Sequence, residues 1–250
     1  MRLDFLLKFN FILGINANGM KLLKDAANKL GFPLSDQKIE KLLLYLDTLK
    51  IEGEKTNLVG TKEEDKLIIS HIIDSLTPFL AIKPQEKSLI DIGTGAGLPG
   101  IVMAIFCEKA KVSLLDSNAK KVAFLEKVRD KLSLSNISIL IGRAEDYGRK
   151  ESFRESFDYG VIRALGSLSL GCELGLPFIK VGGEPILMKG KEIEKVEALS
   201  FLGGEIAEIK EISLPFMEGD KRHLVVVKKI APTPQKYPRR VGIPKKRPLK

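Results

Sequence analysis

Residues 89–100 read Leu89-Ile-Asp-Ile-Gly-Thr-Gly-Ala-Gly-Leu-Pro-Gly100. A short apolar run ends in a carboxylate, Asp91. A loop with glycines at Gly93, Gly95 and Gly97 follows, and Pro99 then opens an apolar stretch. The pattern predicts a strand, a tight turn and a helix. The glycines permit positive φ and let a flat ligand lie against the backbone. At this spacing they read as ligand glycines that serve no packing need. Pro99 suits the first helical position, where its missing N–H is no loss.

Outward from this loop, apolar runs alternate with helical patterns. Strands are expected at Ser88–Ile92, Val112–Leu115, Ile137–Ile141, Asp158–Ile162, Pro185–Met188, Ile206–Ile212 and His223–Val227. Helices are expected between them, for instance at Lys120–Leu132 and Lys191–Phe201. Alternation of this kind implies an α/β, doubly wound, Rossmann-like fold with a mostly parallel seven-stranded sheet. Ligands of such sheets lie outside the carboxyl ends of the strands. Asp91, Asp116, the loop Gly142-Arg-Ala-Glu-Asp146 and Arg163 should therefore surround one crevice.

Two cofactors suit the loop. Gly95, Gly97 and Gly100 also fit the dinucleotide spacing Gly-x-Gly-x-x-Gly. Asp116, about 20 residues past the glycines, suits the ribose hydroxyls of either ligand. Asp91 favours a cationic ligand, because an acidic loop repels a pyrophosphate. S-adenosylmethionine (SAM), with a sulfonium and an ammonium group, is therefore preferred over NAD.

Ahead of the sheet, residues 20–85 read as a helical subdomain. Ser35 is placed to cap a helix with Ile39, Leu42, Leu43, Leu46 and Leu49 on one face. Thr61 and Glu64 have capping-box spacing before Leu67–Leu76, with the polar loop Lys55–Gly60 between the two helices. Residues 1–19 read as a dispensable extension, with Met20 opening an ordinary helix. No stretch is long and uncharged enough to span a bilayer. Cys107 and Cys172 lie far apart in apolar surroundings, and with two histidines the chain offers no metal cluster. Buried, reduced cysteines fit the cytoplasm.

Net charge is +9, and residues 228–250 carry nine Lys/Arg and no acid, so the rest of the chain is neutral. The segment 231–250, with Lys236, Tyr237, Arg239, Arg240, Lys245, Lys246 and Arg247, reads as a proline-stiffened strip. Such a strip is suited to RNA phosphates, with Tyr237 offering a stacking face. Lys189, at a strand end, is a further RNA candidate. The methyltransferase domain then spans 86–230.

The chain resembles the bacterial 16S ribosomal RNA guanine-N7 methyltransferases, the RsmG or glucose-inhibited division protein B family. The residues that carry the likeness are Asn57-Leu-Val, His71-Ile-Ile-Asp-Ser-Leu76, Asp91–Gly100, Leu115-Asp-Ser117 and Gly142-Arg-Ala-Glu145. Lys120, Lys121, Phe124-Leu125, Phe157-Asp158, Arg163-Ala164, Met188-Lys-Gly190 and Tyr237-Pro-Arg239 through Pro248-Leu249 complete it. The resemblance implies a class I methyltransferase with SAM contacts at Gly93, Leu98, Ala144, Glu145 and Arg163. It also implies methylation of one guanine in the decoding region of the small ribosomal subunit. Guanine N7 carries a free lone pair, so no general base is required; Asp74 and His71 are speculative catalytic candidates. A monomer is expected. The competing readings are an NAD-dependent oxidoreductase and a non-catalytic ribosome-binding protein.

Overall fold

The computed structural model describes residues 17–56, 60, 61, 63–190, 193, 197–217 and 219–249, with backbone only at 53–56 and 197–198. The sheet has seven strands in the order β3-β2-β1-β4-β5-β7-β6. They are β1 (Ser88–Ile92), β2 (Lys111–Asp116), β3 (Ile137–Ile141), β4 (Phe157–Arg163), β5 (Ile179–Lys189), β6 (Gly204–Ser213) and β7 (Lys221–Lys229). Each expected strand is present, several longer by a few residues. β1 to β5 run parallel, and β7 lies antiparallel between β5 and β6.

Helices cover both faces. α1 (Ala17–Lys29), α2 (Asp36–Thr56) and α3 (Glu64–Leu67) precede the sheet. α3 runs on as a wide π-helical turn, Ile68–Ile73, and then a tight 3-10 stretch, Asp74–Leu80. α4 (Gly100–Phe106) and α5 (Ala119–Leu132) follow β1 and β2. These helices share one apolar core with the sheet, pinned by Phe32, Phe79 and Phe106 with ring centroids 4.8–6.1 Å apart. α6 (Ala144–Tyr147), α7 (Leu168–Gly175) and the short turn α8 (Ile243–Lys246) belong to the opposite side. Its core contains Phe157, Phe178, Leu202 and Tyr237.

Ser35 does cap α2, its Oγ accepting from the Lys38 N–H at 3.3 Å. The capping box does not form. Thr61 Oγ1 accepts from Glu63 N at 3.2 Å, one residue early, and the Glu64 carboxylate is taken by Lys50. The expected boundary at residue 20 falls inside α1, where both Gly19 and Met20 are buried. α4 starts at Gly100, one residue past Pro99. Of the expected helix Lys191–Phe201, the described part is a 3-10 turn at Glu197–Leu202. Residues 1–16 and Asn57-Leu-Val59 lie outside the described residues.

Candidate cofactor and RNA site

After β1 the chain turns to β2 on one side, and β4 lies on the other side of β1. Loops at the strands' carboxyl ends therefore diverge and leave a crevice. A cavity of about 740 Å³ fills it. Gly93, Gly95 and Leu98 of the glycine loop line it, with Asp116 from β2, Ala144 and Glu145 from α6, Arg163 from β4, and His71. Eight of the candidate residues are thus brought together from five separate segments.

The glycine loop divides into two classes. Gly93, Gly95 and Gly97 have φ of +71°, +61° and +93°. A Cβ on Gly95 would meet nothing closer than Lys121 Nζ at 3.8 Å, so this position opens onto the cavity. A Cβ on Gly97 would stand 2.4 Å from Ile101 Cγ1 and 2.9 Å from Leu125 Cδ2. One on Gly100 would stand 2.3 Å from Leu114 Cδ2. Gly97 and Gly100 are therefore packing glycines, against the expectation that none of them served packing, and Gly97 does not line the cavity. Tyr45 of α2 braces the loop from below, its hydroxyl donating to the Ala96 carbonyl at 2.7 Å. No sequence signal singles Tyr45 out among the apolar positions of α2.

Asp91 lies under the loop and not on the cavity wall. Its Oδ2 accepts from Thr94 Oγ1 at 2.6 Å and from Gly100 N at 2.8 Å, while Oδ1 has no hydrogen-bond partner. Burial pushes its carboxyl up to about 6, against the pull of those two donors and of Arg163. So placed, Asp91 does not meet a ligand in the cavity, against the expectation that it favours a cationic one. Asp116 does reach the cavity. Its Oδ2 accepts from Gly95 N at 2.9 Å and its Oδ1 from Asn118 N at 2.8 Å. Each oxygen keeps a lone pair for a ligand hydroxyl.

His71, Asp74 and Arg163 form one cluster. Arg163 Nη2 lies 3.1 Å from Asp74 Oδ2 and donates to the Ser70 carbonyl at 2.7 Å. It stands 3.2 Å from His71 Nδ1. A guanidinium only donates, so Nδ1 is the acceptor and the imidazole proton sits on Nε2. Burial, then the charges of Arg163 and Arg222, push His71 down to about 4, so the ring is neutral at neutral pH. Asp74 is buried and not a surface group. Desolvation pushes its carboxyl up while Arg163 and Arg222 pull it down. It lines a smaller cavity of about 160 Å³ beside the first, shared with Arg163 and Lys189. Lys189 Nζ donates to the Gly166 carbonyl at 2.6 Å.

The basic tail is docked against the domain rather than standing free as a proline-stiffened strip. Tyr237 is buried and offers no stacking face. Arg239 binds Glu173 through its backbone N (2.9 Å), Nε (2.8 Å) and Nη2 (2.6 Å), and the Glu173 side chain is 0% exposed. Arg154 holds the carbonyls of Gly148 (2.9 Å), Tyr237 (3.0 Å) and Thr233 (2.5 Å). Ser169 Oγ donates to the Leu249 carbonyl at 2.6 Å. Gly242 N donates to Glu145 Oε1 at 3.0 Å, and Gly242 and Lys245 line the large cavity. The tail is thus a wall of the site. Lys236, Arg240, Lys245, Lys246 and Arg247 remain exposed. The sequence hint for Gly242 was a lone glycine among cations and prolines; its φ is +80°.

Among the described residues no helix is long and apolar enough to cross a membrane, and no His/Cys/Asp/Glu group is arranged to hold a metal ion. Both cysteines are free and buried, with Cys172 pushed up to about 12 by desolvation.

Comparison with known proteins adds to this geometry. The family model described as rRNA small subunit methyltransferase G matches residues 38–225. Ribosomal RNA small subunit methyltransferase G of Alkaliphilus metalliredigens is 43% identical over 236 residues, covering 92% of this chain and 98% of that protein. The protein of the same name from Acetivibrio thermocellus is 44% identical over 233 residues, covering 92% and 96%. Among solved structures, a SAM dependent methyltransferase from Aquifex aeolicus superposes with a TM-score of 0.50 at 15% identity, covering 71% of this chain and 97% of that one. That likeness bears on the fold alone.

Proposed function

The chain belongs to the rRNA small subunit methyltransferase G family, and from that premise we propose that it methylates N7 of a guanine in the decoding region of 16S ribosomal RNA, acting as a cytoplasmic monomer. At the coarser level it is a SAM-dependent rRNA methyltransferase. Membership decides for SAM over a dinucleotide, where the charge of the glycine loop does not. When bound, SAM supplies an electrophilic methyl group on a cationic sulfur.

The observation that carries the reading is the convergence of Gly95, Asp116, Ala144, Glu145 and Arg163 on one cavity at the β1/β4 divide. Asp116, fixed by the N–H groups of Gly95 and Asn118, is placed to accept ribose hydroxyls. Ala144 and Glu145 form the adjoining wall, and Glu145 is oriented by Gly242 N. Arg163 is held by Ser70, His71 and Asp74, so its guanidinium keeps one position.

N7 has its lone pair in the ring plane and needs no deprotonation. Transfer breaks one S–C bond, with its electron pair returning to sulfur, and forms one N–C bond. The positive charge passes to the purine. What the protein contributes is alignment and exclusion of water. His71, neutral and with Nε2 protonated, is a donor rather than a base. In A-form RNA the N7 edge lies in a deep, narrow groove, so the substrate guanine must be unpaired or turned out of its stack.

The test is transfer of labelled methyl to small ribosomal subunits and to naked 16S RNA. Chain cleavage at N7-methylguanine by borohydride and aniline then locates the label. Label at the N7 cleavage site is the expected result. Label on another base atom overturns the N7 reading, and no label on either substrate favours a binding protein without activity.

A further inference from the structure

The rim of the cavity carries the same sign of charge as its cofactor. Lys121 at the start of α5, Arg143 just before α6 and Lys245 in α8 all line the cavity, and each is exposed or half-buried, so they stand at its rim. They come from three segments distant in the chain. None of the three makes an ion pair among the described residues. Arg143 Nη1 donates to Ser117 Oγ at 3.2 Å. Against them the cavity sets two carboxylates, Asp116 and Glu145. Arg163 is balanced by Asp74, and His71 is neutral. Three cations therefore stand at the rim before anything binds, while the carboxylates Asp116, Glu145 and Asp91 lie buried behind them. SAM is a net monocation, from a sulfonium, an ammonium and a carboxylate; S-adenosylhomocysteine, left after transfer, has no net charge.

We propose that RNA supplies the missing counter-charge: backbone phosphates seat on Lys121, Arg143 and Lys245, and by neutralising the rim they tighten the binding of the cationic donor but not of its neutral product. This rests on the reading of the chain as an RNA methyltransferase. The tail is what fixes the third cation. Lys245 is placed by the Glu145 bond to Gly242 on one side and the docking of Leu249 onto Ser169 on the other. The strand that seats there runs over the mouth, which puts an RNA base within reach of the cavity.

Coupling is reciprocal, so RNA binds more tightly to the donor complex than to the product complex by the same factor. A unit charge several ångström away in a half-solvated site changes a binding constant roughly three- to tenfold. The effect shrinks as salt shortens the screening length. The free enzyme discriminates against the donor, and the discrimination is lifted only where substrate is present.

The experiment uses the full chain with sinefungin, a stable cationic SAM analogue that transfers no methyl, and S-adenosylhomocysteine. Each is titrated by calorimetry with and without naked 16S RNA at low salt. Sinefungin is expected to tighten roughly three- to tenfold on adding RNA, and S-adenosylhomocysteine to change less than twofold. A triple variant, Lys121→Gln, Arg143→Gln and Lys245→Gln, should bind sinefungin more tightly than wild type without RNA. It should lose the response to RNA and lower the slope of log affinity for RNA against log salt by about two. Its melting temperature and S-adenosylhomocysteine affinity report that the fold survives.

Equal responses of the two ligands in a wild type that does methylate RNA overturn the proposal and leave the activity standing. So does a folded triple variant whose ligand preference without RNA is unchanged. A wild type that does not bind naked RNA and methylates neither it nor small ribosomal subunits overturns the underlying activity as well, a result separate from either of these.

Discussion

Replacing Arg239 by Ala should destabilise the protein by about 3 kcal/mol, the lower end of the range for removing one member of a buried ion pair. The size follows from the burial of the two partners. The Glu173 side chain is 0% exposed and receives three hydrogen bonds from Arg239. Two of these, from Nε and Nη2, go with the side chain, and the backbone N–H remains. A carboxylate left in the α7 core with one donor has lost its counter-charge. The Arg239 side chain is 25% exposed, so water replaces part of what is lost, which sets the lower figure. For a chain of 250 residues, 3 kcal/mol corresponds to a fall in melting temperature of about 6–12 °C. Urea unfolding with the slope held constant measures it. A paired Glu173→Leu, Arg239→Met variant should recover most of the loss, because it removes both charges together. A loss under 1 kcal/mol for Arg239→Ala would refute the reasoning: the tail would then be a loose appendage, and Glu173 would find water in solution.

Four further outcomes follow from the same structure. Deleting 231–250 should weaken SAM binding at least tenfold by calorimetry, because Gly242 leaves the cavity wall and no longer orients Glu145, while Arg154 loses the Thr233 and Tyr237 carbonyls. Retained SAM affinity would show that the tail serves RNA alone. Gly97→Ala should cost about 2–4 kcal/mol in urea unfolding, from crowding against Ile101 and Leu125 on top of an unfavourable φ. Gly95→Ala carries only the backbone strain of about 1 kcal/mol, and its larger effect should fall on SAM affinity. Asp91, with its carboxyl raised to about 6 from 3.8, binds its proton more tightly in the folded chain than in the unfolded one. Its contribution therefore grows less favourable as pH rises from about 4 to about 6, by about 3 kcal/mol, and stays flat above that. Asp91→Asn should show less of this loss than wild type when urea midpoints are compared at pH 4.5 and pH 7.

The sheet was legible because its information is local. Runs such as Ile137–Ile141 bounded by turn residues declare strands whatever surrounds them, and Asp116 and Arg163 could be placed at strand ends from order alone. What escaped was long-range. Asp91 looks like a ligand residue in the sequence, and only the fold of the loop shows its Oδ2 turned to Thr94 and Gly100. The tail's composition announces charge but not that Glu173, 66 residues earlier, is waiting in a helix for Arg239. An acidic residue in Leu168–Gly175 reads as solvent-facing until α7 is seen to be buried. Lys121 is one of several cations on α5 and Arg143 sits in the turn before α6, so their meeting with Lys245 has no signature in one dimension.

The division within the glycine loop bears on how the family ages. A descendant that gave up methyl transfer and kept its fold would still be compelled to keep Gly97 and Gly100, since Ile101, Leu125 and Leu114 occupy the room a side chain would need. Gly95 would be under no such compulsion and could drift to asparagine, which accepts the left-handed conformation at small expense. Among inactive descendants the glycine signature should thus persist almost intact, a fossil of packing, and the identity of the residue at position 95 is the better witness to whether the chemistry survives.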